Sequence, residues 1–281
     1  MPSSNGSKIG RLRTVLLELL AEHQRDDALP TSARFLFYEL VQKGVISKEK
    51  TGARRPDQDM NDALTDLRES GQVPWEWIVD ETRSLESFVG ADTIKDWLLE
   101  VLPQARLDAW AGESPLILTE SRSLAGVLRD LVYEYGAQIA PTNGQCAGFL
   151  HTVIVPVLRP YHQILYLGDF DLCGNDIEQN TRRVLEREVG PLKWERLALT
   201  DGQVAAYQLP KIIKTDRRFK DGRGTHEAVE TEALSQRIIV EILRTRLEEL
   251  LPEALIHVQE RAERQRVVVQ RVVSRILPRD D

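Results

Sequence analysis

The feature that most constrains the fold is an apolar run, Ile164–Leu167, followed at once by Gly168 and by two aspartates. Such a short apolar run is typical of a strand that is buried within a sheet. On a strand, side chains at positions i and i+2 point the same way, so Asp169 and Asp171 project together from the carboxyl end. The pattern therefore predicts a buried strand that ends in a pair of carboxylates.

Two crowded carboxylates repel each other, and one is often protonated unless a cation neutralises both. A cation that prefers oxygen ligands, such as Mg²⁺, is the usual solution. An acidic surface turn is the commoner explanation of an isolated Asp-x-Asp sequence. Here, however, a second apolar strand, Leu116–Thr119, also ends in an acidic residue, Glu120, and this favours a metal site.

Strands alternate with helices in the region that contains these residues. We expect strands at Leu116–Thr119, from Ile139, at Gln163–Leu167 and at Arg196–Leu199, and helices at Ser121–Tyr135, Phe149–Leu158 and Gly174–Glu188. This alternation implies a mainly parallel sheet, whose active groups lie outside the carboxyl ends of the strands. Glu120 and the two aspartates fall at that edge. Two long helices, separated near Pro252, are expected from Glu230 to Leu277.

The start of the chain has a different pattern. Apolar residues at helical spacing predict three helices, over Ile9–Glu22, from Thr31 or Ser32 to about Lys43, and over Pro56–Ser70. Trp75, Trp77 and Ile78 then alternate as in a short strand. Three short helices and a strand are typical of a winged helix-turn-helix, a unit that usually binds nucleic acid but often binds only protein.

The chain of 281 residues is therefore predicted to contain two domains. Residues 1–83 form a winged-helix domain, residues 84–112 a helical linker, and residues 113–281 an α/β domain with a C-terminal helical extension. The linker is expected to present an apolar stripe of Trp97, Leu98 and Leu102. No apolar run approaches the ~20 residues of a membrane span, and only two cysteines occur, so a cytoplasmic protein is expected.

The net charge of −7 disfavours indiscriminate binding of polyanions, but local basic stretches can still bind DNA. Two stretches, Lys43–Arg55 and Lys211–Arg223, are basic on balance. Solvated loops explain each stretch equally well when it is taken alone. The candidate DNA-binding residues are Lys48, Lys50, Arg54, Arg55, Lys211 and Lys214.

Glu120 after one strand, and Asp169-x-Asp171-x-x-Gly174 after a later one, resemble the Toprim domain of topoisomerases, primases and several nucleases. The resemblance implies a Rossmann-like sheet in which Glu120, Asp169 and Asp171 hold one or two Mg²⁺ ions, with Glu120 also serving in acid–base work. Such a metal neutralises phosphate charge and stabilises the attacking or leaving oxygen. The chain departs from many relatives at Leu172, where they carry proline.

The segment Thr31–Tyr38 resembles the active-site helix of the topoisomerase VI A subunit and of the related transesterase that starts meiotic recombination. In that family an arginine lies four residues before the nucleophilic tyrosine, and an aromatic residue directly precedes it; Arg34, Phe37 and Tyr38 match. Residues i and i+4 share one face of a helix, so Arg34 can lie beside the Tyr38 phenol. Aromatic packing in a small domain is the alternative, which the joint presence of the Toprim pattern disfavours.

A further segment, Glu230–Leu234, resembles the latter part of small bacterial and phage relatives of that A subunit. The resemblance implies that Glu230 or Glu232 adds a carboxylate to the metal site or its surroundings. A helix start, where glutamate is favoured by the helix dipole, explains the segment equally well. The resemblance extends from roughly Ile9 to Leu250, in a chain shorter than a full-length A subunit.

The resemblance implies Mg²⁺-dependent cleavage of double-stranded DNA by tyrosine transesterification, with a covalent 5′-phosphotyrosyl intermediate. In the family the tyrosine of one protomer works with the metal site of the other, so a homodimer is expected. ATP-driven gating belongs there to a separate B-type subunit, and this chain has no phosphate-binding loop motif. Two alternatives stay open: a metal-dependent Toprim nuclease that uses water, and a non-catalytic DNA-binding subunit.

Overall fold

Three helices open the computed structural model, which describes residues 8–47, 57–79, 90–144, 146–215 and 225–276. They are α1 (Lys8–Arg25), α2 (Ala33–Gln42) and α3 (Gln58–Glu69), close to the predicted positions. The Ser32 side chain caps α2 by accepting a hydrogen bond from the Phe35 amide. The apolar faces of the three helices bury one another and leave the polar faces outside.

The segment after α3 differs from its prediction. Trp75–Trp77 forms a single 3₁₀ turn rather than part of a strand, and only Ile78 is extended, in an isolated parallel bridge with Thr31. The two hydrogen bonds of this bridge join Thr31 to Trp77 and to Val79, each at 2.9 Å. Pro74 precedes the turn and has no backbone N–H to donate to a neighbouring strand. Among the described residues, Ile78 pairs with Thr31 alone, so the segment does not extend into a strand.

The four strands expected in the α/β region are all present. They are β1 (Leu116–Thr119), β2 (Gln138–Pro141), β3 (Gln163–Leu167) and β4 (Lys193–Ala198). All pair in parallel, in the order β2-β1-β3-β4, which confirms the prediction of a mainly parallel α/β sheet. The chain moves outward from β1 to β2 and then returns to the other side of β1, so the order reverses between β1 and β3.

Apolar residues on both faces explain why this sheet is buried. Ile117 and Leu165 belong to one apolar cluster, which continues into the N-terminal helices, whereas Leu118 and Tyr166 belong to a second cluster. Helices cover the sheet: α5 (Arg122–Glu134), α6 (Ala147–Phe149), which continues as irregular helical turns to Val157, and α7 (Leu172–Val189). Two-sided burial is the usual reason for a near-continuous apolar strand sequence.

The remaining helices and strands lie outside the four-stranded sheet. They are α4 (Ile94–Val101), α8 (Asp201–Ala206), the antiparallel pair β5 (Ile212–Thr215) and β6 (Thr225–Ala228), α9 (Gln236–Leu250) and α10 (Leu255–Ile276). The two long C-terminal helices confirm their prediction, but Trp97 on α4 is 45% exposed instead of packed in a stripe. Among the described residues, no helix is long and apolar enough to cross a membrane.

Candidate active site

The reversal of strand order between β1 and β3 brings Glu120 next to Asp169. In open parallel sheets such a reversal leaves a crevice outside the carboxyl ends of the strands. The Glu120 amide donates to the Leu167 carbonyl at 2.9 Å, which continues the β1–β3 pairing by one residue. Glu120 Oε2 in turn accepts a hydrogen bond of 2.9 Å from the Asp169 amide. The two strand ends are therefore joined through the carboxylate that the sequence singles out.

Asp171 has two roles at the start of α7. Its Oδ1 accepts a hydrogen bond of 2.6 Å from the Gly174 amide and so caps the helix. Its Oδ2 lies 2.7 Å from the Lys214 Nζ atom. The side chain is almost fully buried, so the Gly174 amide and the Lys214 ammonium, rather than solvent, hold its two oxygens in place.

Gly174 allows α7 to approach the acidic residues closely. A Cβ atom at this position would lie 2.5 Å from the Asp169 carbonyl oxygen and 3.1 Å from Glu120 Oε2. The first distance is shorter than real Cβ contacts, and its partner is a backbone atom that cannot turn away. The Asp-x-Asp-x-x-Gly pattern therefore has glycine at this position because no room is left for a Cβ atom.

A short backbone bridge brings the C-terminal glutamates to the same edge. Phe170 and Val229 exchange two hydrogen bonds, of 2.8 and 3.0 Å, between the end of β3 and the residue after β6. Two residues on, Thr231 donates from its amide and its hydroxyl to Asp169 Oδ1, at 2.9 and 3.1 Å. Glu230 and Glu232 flank this threonine, so both lie beside the aspartates.

Arg34 and Tyr38 of α2 reach the same cluster. Arg34 Nη2 lies 2.8 Å from Glu230 Oε2, and Arg34 Nε lies 2.9 Å from Glu232 Oε1. The Tyr38 hydroxyl donates a hydrogen bond to Glu230 Oε2. The structure thus gathers residues that are almost 200 positions apart in the chain, and it places Arg34 and Tyr38 on one side of the carboxylates.

Glu232 is the most enclosed carboxylate of the group, with a side chain that is 0% exposed. Its Oε1 accepts hydrogen bonds from Ser121 at 2.8 Å and from Ser123 at 3.0 Å. Among the described residues, its buried Oε2 has no hydrogen-bond partner. A buried acceptor of this kind is costly, and such a group calls for an explanation such as a bound ion.

Burial and mutual repulsion shift the pKa values of these carboxyl groups. Burial, followed by the charge of Asp169, raises the pKa of Glu120 to about 7. Burial and the neighbouring Glu232 likewise raise the pKa of Asp169, and burial raises that of Glu230. Burial would also raise the pKa of Asp171, but the hydrogen bonds from Lys214 and from the Gly174 amide outweigh it and lower the pKa. The site therefore concentrates negative charge that positive groups must balance.

Lys214 supplies part of that positive charge. Its Nζ atom lies 2.7 Å from Asp171 Oδ2, 3.4 Å from Glu230 Oε1 and 4.0 Å from Asp169 Oδ2. Among the described residues, no three acidic, histidine or cysteine side chains converge closely enough to hold a metal ion. The carboxylate oxygens of Glu120, Asp169 and Asp171 are nevertheless ligands of the kind that Mg²⁺ prefers.

The predicted DNA-binding residues divide into three groups. Lys214 lies within the carboxylate cluster, whereas the Lys211 Nζ atom pairs with Glu227 Oε2 at 2.6 Å on the exposed side of the hairpin. The other four lie outside the described residues: Lys48, Lys50, Arg54 and Arg55. Their prediction as DNA contacts stays a prediction.

Sequence reasoning missed several residues that hold the carboxylates, namely Ser121, Ser123 and Thr231. Ser121 and Ser123 lie one and three residues after Glu120. Nothing in the local sequence indicates that either would bond to a glutamate more than 100 residues away. Thr231 lies between two glutamates that the sequence did single out.

A cavity of about 510 Å³ opens beside Tyr38, between α2 and α3. Its lining residues are Ala33, Arg34, Phe37, Tyr38, Asp57, Met60, Asn61 and Glu230. Its lining combines apolar side chains with the charged groups of Arg34 and Glu230. A substrate group can therefore approach the Tyr38 side of the carboxylate cluster through this opening.

Comparisons of the chain with protein-family models, with curated proteins and with solved structures find no match.

Proposed function

We propose that the chain cleaves double-stranded DNA by Mg²⁺-dependent tyrosine transesterification, as an A-subunit-like member of the type IIB topoisomerase family. The observation that carries the proposal is the convergence of Tyr38 and Arg34 on the carboxylates at the strand ends. Under this proposal the parallel sheet is a Toprim sheet and the N-terminal helices form a winged-helix unit. The active form is a homodimer, and a separate ATPase subunit would drive any strand passage.

Each residue of the cluster has a distinct part in this reaction. Glu120, Asp169 and Asp171 would hold Mg²⁺, which neutralises phosphate charge when bound. Arg34 faces the cavity beside Tyr38 and would pair with the incoming phosphate. Glu230 accepts the hydrogen bond of the Tyr38 hydroxyl and so orients the nucleophile. Glu232 and its two serines hold Arg34 in position.

The covalent step conserves atoms and charge. The Tyr38 oxygen forms a bond to phosphorus, and the bond from phosphorus to the 3′ oxygen of the preceding nucleotide breaks. The phenolic proton passes to the Glu230 carboxylate, to which the O–H group already points, and the departing 3′ oxygen takes a proton from water. Attack of the freed 3′ hydroxyl on the phosphotyrosine reverses the step.

A denaturing gel tests this proposal. Wild-type protein is incubated with Mg²⁺ and supercoiled plasmid, denatured, and examined for DNA that carries protein at its 5′ ends. Tyr38→Phe should lose the adduct, and Asp169→Asn should lose both adduct and cleavage. Tyr161→Phe is a matched control, because Tyr161 is exposed and lies just before β3, at the opposite edge of the sheet. If Tyr38→Phe cleaves like wild type, the covalent mechanism is refuted.

A metal-dependent nuclease that uses water is the second candidate. It is favoured by the burial of Tyr38, which is only 5% exposed and packs edge to face against Phe37 with ring centroids 5.4 Å apart. Under this alternative the products are free DNA ends without attached protein. Cleavage would then survive Tyr38→Phe but not Asp169→Asn, so the same gel separates the two candidates.

A further inference from the structure

We propose that the outer faces of α4 and α10 form a surface on which a second copy of this chain docks, related to the first by a two-fold axis. The inference does not rest on DNA cleavage. The proposed function needs a dimer, but it does not specify which surface joins the two chains.

The two helices pack against each other and are anchored beside the end of α5. Arg266 of α10 donates to the Ala105 carbonyl, in the turns that follow α4, at 2.7 Å. Arg106 donates to the Tyr133 and Glu134 carbonyls at 3.0 and 3.2 Å, where the chain leaves α5 to enter β2. Because β2 begins there, the helix pair is anchored at the edge of the sheet opposite to the carboxylate cluster.

The outer face of α4 combines apolar and acidic side chains. Ile94 is 73% exposed, and Trp97, one turn away, is exposed as well. Asp96 and Glu100 lie beside them, also exposed and one turn apart. Asp96 accepts a hydrogen bond of 2.7 Å from Thr93, but within the described residues neither carboxylate has a cationic partner. The helix dipole favours Asp96 in the first turn, but it does not explain Glu100 near the other end.

The outer face of α10 carries the opposite charge. Beyond Glu263 this helix contains no acidic residue. Four exposed side chains in that half are related by spacings of three or four residues and so share one face: Val268, Arg271, Val272 and Arg275. Neither of these two arginines has an acidic partner in the part of the chain that the structure describes.

Opposite charges on adjoining helices make this surface complementary to itself. A two-fold rotation sets the acidic face of α4 in one chain against the basic face of α10 in the other, and the same contact forms twice. Trp97 and the valines are then covered, with charged groups around them, as is usual for a protein interface. DNA or an anionic membrane fits this surface less well, because Asp96 and Glu100 would face its phosphates.

Charge reversal tests the inference, with sedimentation velocity over a range of protein concentrations as the measurement. Wild-type protein should dimerise. Asp96→Lys with Glu100→Lys makes both faces basic, whereas Arg271→Glu with Arg275→Glu makes both acidic. Because like charges then meet, each variant alone should show a dimer dissociation constant raised by about 100-fold or more. Mixing the two variants should restore dimers, because each face then meets its opposite.

The matched control for the arginine pair is Arg183→Glu with Arg187→Glu, which makes the same change of charge at exposed positions of α7 and should leave dimerisation unchanged. Circular dichroism checks that each variant is folded, as expected for substitutions of exposed side chains. A monomeric wild type, reversed variants that dimerise like wild type, or a mixture that stays monomeric would each overturn the inference. These outcomes are measured without DNA, so they are distinct from loss of the covalent adduct, which concerns the proposed function.

Discussion

Gly174 is the position at which one added methyl group tests the geometry of the acidic edge. In Gly174→Ala the new Cβ atom would start 2.5 Å from the Asp169 carbonyl oxygen, whereas ordinary van der Waals contact begins near 3.4 Å. The helix or the Asp169 backbone must therefore move by about 0.9 Å, the difference between these two distances. Glu120 Oε2, at 3.1 Å, limits movement to the other side.

The expected cost follows from overpacking against groups that cannot turn away. Inserting a methyl group into a filled space costs about 1–3 kcal/mol. Replacing glycine by alanine within a helix returns about 0.5–1 kcal/mol. The net result for Gly174→Ala lies between no change and a loss of about 2.5 kcal/mol in the free energy of unfolding. Under the proposed function we also expect loss of DNA cleavage, because Asp169 and Glu120 are the groups displaced.

Urea denaturation followed by circular dichroism measures this change. The matched control is Gly202→Ala, in the short helix α8, where an added Cβ atom meets nothing within 4 Å. The control should unfold at the same or a slightly higher urea concentration than wild type. If Gly174→Ala unfolds at a higher urea concentration than wild type, the close approach of α7 to Asp169 is wrong.

Substitutions at three other positions test the charges around the site and in the N-terminal helices. Lys214→Ala should lower the free energy of unfolding by about 1–3 kcal/mol, because carboxylates lose their ammonium partner, and Mg²⁺ should restore part of the loss in denaturation with and without the ion. Asp171→Ala should cost about 1–2 kcal/mol by removing the cap of α7, whereas Asp171→Asn, which keeps an acceptor oxygen, should cost less in the same assay. Burial lowers the pKa of His23, but the hydrogen bond and charge of Glu39 outweigh it and raise the pKa above 6.5. The stabilisation from this pair is therefore complete below pH 6.5 and is lost as the pH rises through the raised pKa, so the stability difference between wild type and Glu39→Gln should shrink toward alkaline pH. A constant difference across that range would contradict the assignment.

Local patterns were sufficient to predict the sheet and its acidic edge. The apolar runs that became β1 and β3 are buried on both faces, and parallel strands leave their carboxyl ends on one side. Glu120, Asp169 and Asp171 were therefore found from strand ends alone. Thr31 or Ser32 was predicted to cap α2, and Ser32 does so; Ser121 was predicted only as the first residue of a helix, and it caps α5.

Long-range packing explains what sequence reasoning could not provide. Trp75–Trp77 alternates like a strand, but it forms a 3₁₀ turn, and among the described residues only Thr31 pairs with this segment, at Ile78. The β5–β6 hairpin has little periodic signal, yet it delivers Lys214 into the carboxylates. The contact of Tyr38 with Glu230 spans 192 positions and depends on the bridge at Val229.

The bridge between Phe170 and Val229 also sets the order in which the site can be made during protein synthesis. The helix that carries Tyr38 and the strands that carry Glu120 and Asp169 leave the ribosome well before Glu230 and Glu232. A nascent chain that stops short of these glutamates lacks the partners of both Arg34 and Tyr38. Under the proposed function, the capacity to cut DNA therefore arises only after translation has passed Glu232, and a fragment that ends before the bridge is inert toward DNA.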